Sequence, residues 1–183
     1  MTYKSTGLVE LDELLGGGLL PSSICEIRCD ESFWVDCIVS ALLSEPGNYF
    51  ILDPSEQISI DVLNNCPSEI IKTNNEEIIS SLKNKFIPDF GIFTFPLSNK
   101  TLDNCIDFSQ NIKIKGGISL FVKPLIPNVL SESHKSVKLY SQQRIEIRNQ
   151  HKYKHKLEAY IQIIKNVNGT SRNKSKIEMR INS

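Results

Sequence analysis

The chain has 183 residues, of which 40% are hydrophobic and 23% are charged. This length and composition are typical of one globular domain with its own hydrophobic core, and they exclude a chain too polar to fold. No segment approaches the ~18 consecutive apolar residues of a membrane span, and residues 1–7 show no secretory signal pattern. We therefore expect an intracellular protein with no membrane partner, cytoplasmic in a prokaryote and nuclear in a eukaryote.

The formal net charge is zero, but the charge is unevenly distributed along the chain. Residues 1–134 carry 9 Lys and Arg against 18 Asp and Glu, whereas residues 135–183 carry 12 against 3. A basic segment of this kind favours contact with nucleic acid or with an acidic protein surface. It can equally serve to neutralise the acidic part within the fold, and charge alone leaves both interpretations open.

The cysteines indicate reduced thiols. Their number is odd, none forms a C-x-x-C pair, and all lie in or beside apolar segments. They are Cys25, Cys29, Cys37, Cys66 and Cys105. We expect neither disulfides nor a metal site.

The first predicted element is a helix at Leu8–Leu15, which Gly16–Gly18 ends because glycine adopts a left-handed turn at no steric cost. A strand is predicted at Ser23–Arg28, and a helix from about Phe33 to Ser44. The segment between that strand and helix has an unusual mixture of acidic and aromatic residues.

The middle of the chain alternates between predicted strands and predicted helices. The strands are expected at 48–53, 69–72, 90–95 and 118–122, and the helices at 58–64, 76–85 and 102–112. Such alternation predicts a parallel sheet with helices on both faces.

The pattern changes after residue 123. An irregular polar loop is expected up to residue 136, followed by three strand-like runs at 139–148, 156–165 and 175–181. Turns are expected around His151 and over residues 166–173. Hydrophobic alternation in these runs predicts an antiparallel meander with one solvent-facing side.

Two segments resemble the core ATPase domain of the RecA/RadA recombinase superfamily. Thr6-Gly7, Leu11-Asp12 and Leu15-Gly16-Gly17-Gly18 are spaced as in RadA and KaiC-like proteins, just before the first core strand. Residues 160–169 are similar to the V-K-N-x-x-G run that ends that core. The resemblance covers nearly the whole chain. It implies an α/β RecA-like P-loop NTPase fold in a single domain, 1–183, with a mostly parallel central sheet, helices on both faces and a C-terminal antiparallel strand meander.

Members of this superfamily place G-x-x-x-x-G-K-[ST] directly after the first strand. Its glycines let backbone N–H groups cradle phosphates, its lysine neutralises them, and its hydroxyl binds Mg²⁺. The resemblance places the glycines at Cys29 and Trp34, the lysine at Val35 and the hydroxyl residue at Asp36, with Ser32 between them. We call Cys29–Asp36 the degenerate loop, because its length is kept while its phosphate chemistry is replaced.

The other catalytic positions of the superfamily are also replaced. The acid that activates water falls on Ser55, with Glu56 one residue late, and no acid stands at residues 93–96, where the Mg²⁺ ligand is expected. The resemblance therefore implies a pseudo-ATPase that is not an enzyme and holds no cofactor. An enzyme with an altered site, using Asp30, Glu31 or Asp36 with a metal, is a further alternative.

Candidate DNA-binding residues come from two places. The superfamily has a DNA-binding loop after the strand that ends near Val122, and the loop here contains two lysines. The hairpin predicted near residues 148–156 is basic and carries a tyrosine that could stack on an exposed base. Alternatively, it is a solvated turn whose lysines protect a sheet edge. The candidates are Lys135, Lys138, Arg148, Lys152, Tyr153, Lys154 and Lys156.

Phe33 and Trp34 begin the helix after the degenerate loop, where superfamily members bind nucleotide between neighbouring subunits. The Trp34 ring is expected either to fill the vacated nucleotide pocket or, with Phe33, to form a partner interface, since tryptophan is a favoured interface anchor.

These features together predict a non-catalytic RecA/RadA-like recombinase paralog that assists homologous recombination or DNA repair. It would bind DNA, expected to be single-stranded, or a RecA/RadA-family recombinase or another paralog, within a hetero-oligomer. The alternative is a KaiC-like regulatory or structural subunit that acts only through protein–protein contacts.

Overall fold

The structure, a computed structural model, describes residues 3–64, 69–82, 85–125, 137–153, 156–167 and 174–180. The strands are β1 (Ser23–Cys29), β2 (Asn48–Leu52), β3 (Glu69–Thr73), β4 (Phe90–Thr94), β5 (Ile118–Pro124), β6 (Gln143–Tyr153), β7 (Lys156–Asn166) and β8 (Lys174–Arg180). The helices are α1 (Val9–Leu15), α2 (Ser32–Leu43), α3 (Ile60–Asn64), α4 (Ile78–Leu82) and α5 (Asn99–Ile114).

The strands form one eight-stranded sheet in the spatial order β3-β2-β4-β5-β1-β6-β7-β8. From β3 to β6 every neighbouring pair is parallel, and β6–β7 and β7–β8 are antiparallel. The predicted α/β class, the mostly parallel sheet and the C-terminal antiparallel meander are thus confirmed.

Alternating side chains of the sheet point into two separate cores. We call the side with α1, α2 and α3 the first face; there, Cys25 and Ile27 of β1 join the apolar residues of those helices. On the second face, Ile24 of β1 packs with Ile79 of α4 and with the apolar side of α5. Helices therefore lie on both faces, as the alternation of elements predicted.

One side of the meander packs against a helix. Among the described helices, α1 is the one that packs closely against β7 and β8, and its leucines share the first-face core with Ala159, Ile161 and Ile177. Tyr160, whose side chain has the opposite orientation, is exposed on the second face. No helix among the described residues is both long and apolar enough to cross a membrane.

The N-terminal motif has a structural role. Asp12 Oδ1 accepts hydrogen bonds from the Thr6 backbone N–H at 2.8 Å and from Thr6 Oγ1 at 2.7 Å. Gly16 ends α1 with φ 78°, a left-handed conformation. A Cβ on Gly18 would lie 2.3 Å from the Lys4 carbonyl oxygen, so only glycine lets residues 4 and 19 pair as a short antiparallel bridge.

Two predicted boundaries are wrong in the C-terminal part. Residues 137–140 form a helical turn, and β6 begins only at Gln143, so the strand predicted at 139–148 starts late. The turn expected around His151 lies farther along, since β6 continues to Tyr153, which pairs with Lys156 of β7. Leu139 and Tyr140 are apolar but exposed, and their apolar character produced the first error.

Candidate functional site

The degenerate loop is scarcely a loop in the structure. Strand β1 ends at Cys29 and helix α2 begins at Ser32, so that only Asp30 and Glu31 separate them. The Cys29 carbonyl accepts a 2.9 Å hydrogen bond from the Leu125 N–H. Most of the eight residues of the degenerate loop therefore belong to the strand and the helix.

The Trp34 side chain lies in the protein core beside this turn. Its side chain has 0% relative exposure and belongs to the first-face core. Its Nε1 donates a 2.8 Å hydrogen bond to Asn149 Oδ1, and its ring meets Phe33 edge-on at 5.4 Å between centroids. Because Trp34 is buried, it offers no surface to a partner subunit. The half-buried Phe33 is the only one of the predicted interface pair that retains exposed surface.

Two acidic residues of the degenerate loop, Asp30 and Asp36, bind backbone groups of this chain. Asp30 Oδ2 accepts a 2.8 Å hydrogen bond from the Asn149 N–H, and Asp36 Oδ1 accepts a 2.9 Å hydrogen bond from the Ser59 N–H. Val35, at the lysine position of the superfamily motif, is buried. Among the described residues, no group of three or more His, Cys, Asp or Glu could hold a metal ion.

Asp53 is a buried carboxylate that the sequence did not single out. It follows β2 and accepts hydrogen bonds from the Gln57 N–H at 2.9 Å, the Ile58 N–H at 3.1 Å and Thr94 Oγ1 at 2.5 Å. Lys72 Nζ lies 3.5 Å from its Oδ2. These contacts fix the chain after β2 to the end of β4, where the superfamily holds its catalytic acid and metal ligand.

A buried ionic cluster lies on the second face, at the centre of the sheet. The carboxylate oxygens of Glu26 in β1 lie 3.0 Å from Arg28 Nε, 3.3 Å from Lys123 Nζ and 2.7 Å from Arg144 Nε. Lys123 Nζ also lies 4.6 Å from the centroid of the Phe95 ring. Glu146 extends the cluster, with Arg28 at 3.6 Å and Arg148 at 2.8 Å.

Burial and neighbouring charges shift two pKa values in this cluster. Burial lowers the pKa of Lys123 to about 8; Glu26 opposes this shift, whereas Arg28 and Arg144 add to it. Burial would raise the pKa of Glu26, but Lys123, Arg144 and Arg28 together bring it below its ordinary value. At the end of β1, burial raises the pKa of the Cys29 thiol to about 12, with Asp30 adding to the shift. Cys29 is therefore a protonated thiol and a poor nucleophile at neutral pH.

The basic hairpin, formed by β6 and β7, lies beside the degenerate loop. Strands β1 and β6 are parallel, and Cys29, the last residue of β1, is opposite Ile147. Strand β6 continues past this point to Tyr153, so the hairpin extends beyond the carboxyl edge of the parallel strands. Asn149, at the base of this extension, is the residue that binds both Asp30 and Trp34.

The seven candidate DNA-binding residues do not form one described cluster. Lys138 is exposed before the start of β6, whereas the hairpin tip lies past the other end of that 11-residue strand, about 33 Å away at ~3.3 Å per residue. Arg148 is exposed on β6. Only the backbone of Lys152, Tyr153 and Lys156 is described, and Lys135 and Lys154 lie outside the described residues.

Sequence reasoning missed Glu26, Lys123 and Asn149. Glu26 and Lys123 are charged residues within otherwise apolar strands, and that interruption was the available signal of a buried ion pair. Asn149 carried no such signal, because its partners are 115 and 119 residues away in the chain.

No protein-family model matches this chain. A search of curated proteins likewise finds no match.

Proposed function

We propose that this chain is a non-catalytic RecA/RadA-like recombinase paralog with a RecA-like core, which assists homologous recombination or DNA repair by binding DNA, a recombinase partner, or both. The observation that carries the proposal is the turn between β1 and α2. It lies at the carboxyl end of an interior parallel strand, where open α/β sheets bind their ligands. Trp34, Val35 and the bound carboxylates of Asp30 and Asp36 close it.

Two further observations support the superfamily assignment. The N-terminal motif that carries the resemblance makes a specific structure, with Asp12 bound to Thr6 and glycines at left-handed positions. The described strands run in the order expected of a βαβ core followed by a meander. The structured N-terminal motif and the strand order both support the assignment.

DNA binding is supported by the charge of the C-terminal part. Residues 135–183 carry 12 Lys and Arg against 3 Asp and Glu, and the hairpin of β6 and β7 belongs to that part. Because cations that neutralise phosphates release counterions, binding through this hairpin should weaken steeply as salt is raised.

The proposal is tested by two titrations on the purified chain. Calorimetry with Mg²⁺–ATP should give no binding, and a micromolar affinity would contradict the pseudo-ATPase assignment. Fluorescence anisotropy with a labelled single-stranded oligonucleotide should show salt-dependent binding. Replacing Lys152, Lys154 and Lys156 with alanine should weaken it and reduce the salt slope by about 2, at ~0.7 per phosphate contact.

A matched control removes the same charge elsewhere. Lys4, Lys113 and Lys115 lie near the amino ends of the parallel strands, whereas the hairpin extends past their carboxyl ends. Alanine at these three positions should leave affinity and salt slope unchanged. Equal losses in the two triple variants would show that net charge, and not the hairpin, determines binding.

The alternative, a KaiC-like subunit that acts through protein contacts alone, differs in one measurable respect. It predicts no DNA binding even at low salt. Co-purification from the native host with a recombinase that has an intact phosphate loop would favour the recombinase paralog.

A further inference from the structure

The second face of the meander presents an exposed aromatic ring between two cations. Tyr160 of β7 is 42% exposed. Its cross-strand neighbours are Arg148 on β6 and Lys176 on β8. Directly opposed residues of antiparallel strands share a face, with Cβ atoms about 4.5–5.5 Å apart. The three side chains therefore form one row across the sheet.

The two sides of this row differ in charge. On the β8 side, Lys176 Nζ lies 3.0 Å from Glu158 Oε2 and 3.0 Å from Glu178 Oε1, so its charge is neutralised locally. On the β6 side, four cations face two carboxylates. These residues are Arg28, Lys123, Arg144 and Arg148, with Glu26 and Glu146.

The excess of two positive charges therefore lies on one side of the Tyr160 ring. Arg148 is the most accessible member of that side, with 56% of its side chain exposed. A guanidinium in this position can bind a phosphate while the neighbouring ring remains free.

We propose that Tyr160 is a stacking platform for a base of single-stranded DNA whose backbone runs along the Arg148 side. This inference rests on the proposed function and names the surface that performs it. Every nucleobase has a π-face that can stack on an aromatic side chain, and cations beside the ring hold the backbone. A base within a duplex is already stacked on both faces, so the platform selects single strands.

The location also separates this surface from the hairpin tip. Tyr153 and Lys156 pair at the ends of β6 and β7; Arg148 is five residues from Tyr153, and Tyr160 is four residues from Lys156. The DNA strand would therefore pass from the tip along the second face of the meander, toward the centre of the sheet. Glu146 lies on this path and pairs with both Arg28 and Arg148, so it competes with phosphate for these two cations.

The platform is tested by fluorescence anisotropy with a labelled oligo(dT) on the full chain. Tyr160→Ala should weaken binding about tenfold, as expected for one lost stacked base, and Tyr160→Phe should bind within about twofold of wild type because it retains the ring. Ile114→Ala is the control for loss of an exposed apolar side chain, since Ile114 is 81% exposed and is the last residue of α5. It should bind like wild type.

The backbone path is tested by charge. Arg148→Gln should weaken binding and reduce the salt slope by about 0.7. Lys115→Gln, which lies just before the amino end of β5, should change neither. Glu146→Gln should tighten DNA binding and steepen the salt slope, because Arg28 and Arg148 lose their carboxylate partner and can contact phosphate. Unchanged or weaker binding of Glu146→Gln would overturn the path.

The outcomes separate this inference from the proposed function. If wild type binds oligo(dT) and Tyr160→Ala binds equally well, the platform is wrong while the DNA-binding function stands. If wild type shows no binding at low salt, the platform and the DNA-binding part of the proposed function both fail, and binding of a recombinase partner is the part that remains. Photocrosslinking of a 5-iodouracil oligonucleotide, mapped by mass spectrometry, gives a readout on the unaltered protein: a crosslink at Tyr160 supports the platform, and crosslinks confined to other residues overturn it.

Discussion

Trp34 Nε1 donates a 2.8 Å hydrogen bond to Asn149 Oδ1, and this contact joins the turn after β1 to the strand that continues into the basic hairpin. The Asn149 N–H is bound in turn to Asp30 Oδ2. One asparagine thus satisfies the buried indole N–H and one carboxylate of the turn. A tryptophan in a core usually requires such a partner for its N–H, and here the partner also sets where the hairpin begins.

We expect Trp34→Phe to destabilise the chain by about 1–3 kcal/mol, since it leaves Asn149 Oδ1 without its donor and opens a small gap. Urea denaturation measures the change. Together with Asn149→Ala and the double variant it forms a double-mutant cycle, in which the coupling energy should be about 0.5–3 kcal/mol. A coupling energy near zero would mean that the hydrogen bond contributes nothing to folding.

Introducing the phosphate-loop residues of the RecA/RadA superfamily should not create nucleotide binding. In the triple variant Trp34→Gly, Val35→Lys and Asp36→Ser, the substituted positions still lie within α2, which begins at Ser32. Loss of the buried Trp34 and insertion of a lysine at buried Val35 should together cost more than 4 kcal/mol, roughly the upper range for single core changes. Calorimetry with Mg²⁺–ATP should show no heat of binding. Micromolar affinity would instead show that the turn can open into a phosphate loop.

Asp53→Ala should destabilise the chain by about 3 kcal/mol, because it removes a buried carboxylate bound to two backbone N–H groups and to Thr94. The loss should also loosen the contact between β2 and β4, which hydrogen exchange of the Gln57 and Ile58 amides would report. Asp103→Ala, an exposed carboxylate on α5, is the control and should change stability by less than about 0.5 kcal/mol. Similar losses in both variants would contradict the assigned role of Asp53.

The sequence predicted the parts of the fold that depend on local pattern. Continuous apolar runs identified the interior strands, and Gly16 ended α1 where expected. It did not predict features that depend on distant partners. Glu26 and Arg144 meet across 118 residues, and Trp34 and Asn149 across 115, so no local pattern identifies which residue each of them contacts. The start of α2 was predicted within one residue, whereas the burial of Trp34 and Val35 is not revealed by spacing alone.

Because the Lys123 ammonium is buried, we expect the free energy of unfolding to change with pH in the alkaline range. Burial lowers its folded-state pKa to about 8 from the ordinary lysine value of 10.5. Between these two values the unfolded chain binds more protons at this residue than the folded chain, so the contribution of Lys123 to the free energy of unfolding rises with pH. It is lost as pH falls through about 8.

Lys123→Met should remove this contribution, while Arg28 and Arg144 continue to pair with Glu26. Urea denaturation of wild type and variant across pH 7.5–10.5, a window of roughly the pKa difference, measures it. As pH rises, the free energy of unfolding of wild type should increase relative to that of the variant. Taking the difference between the two proteins cancels the titration of the other groups. A difference that stays constant across this range would show that Lys123 keeps an ordinary pKa in the folded chain.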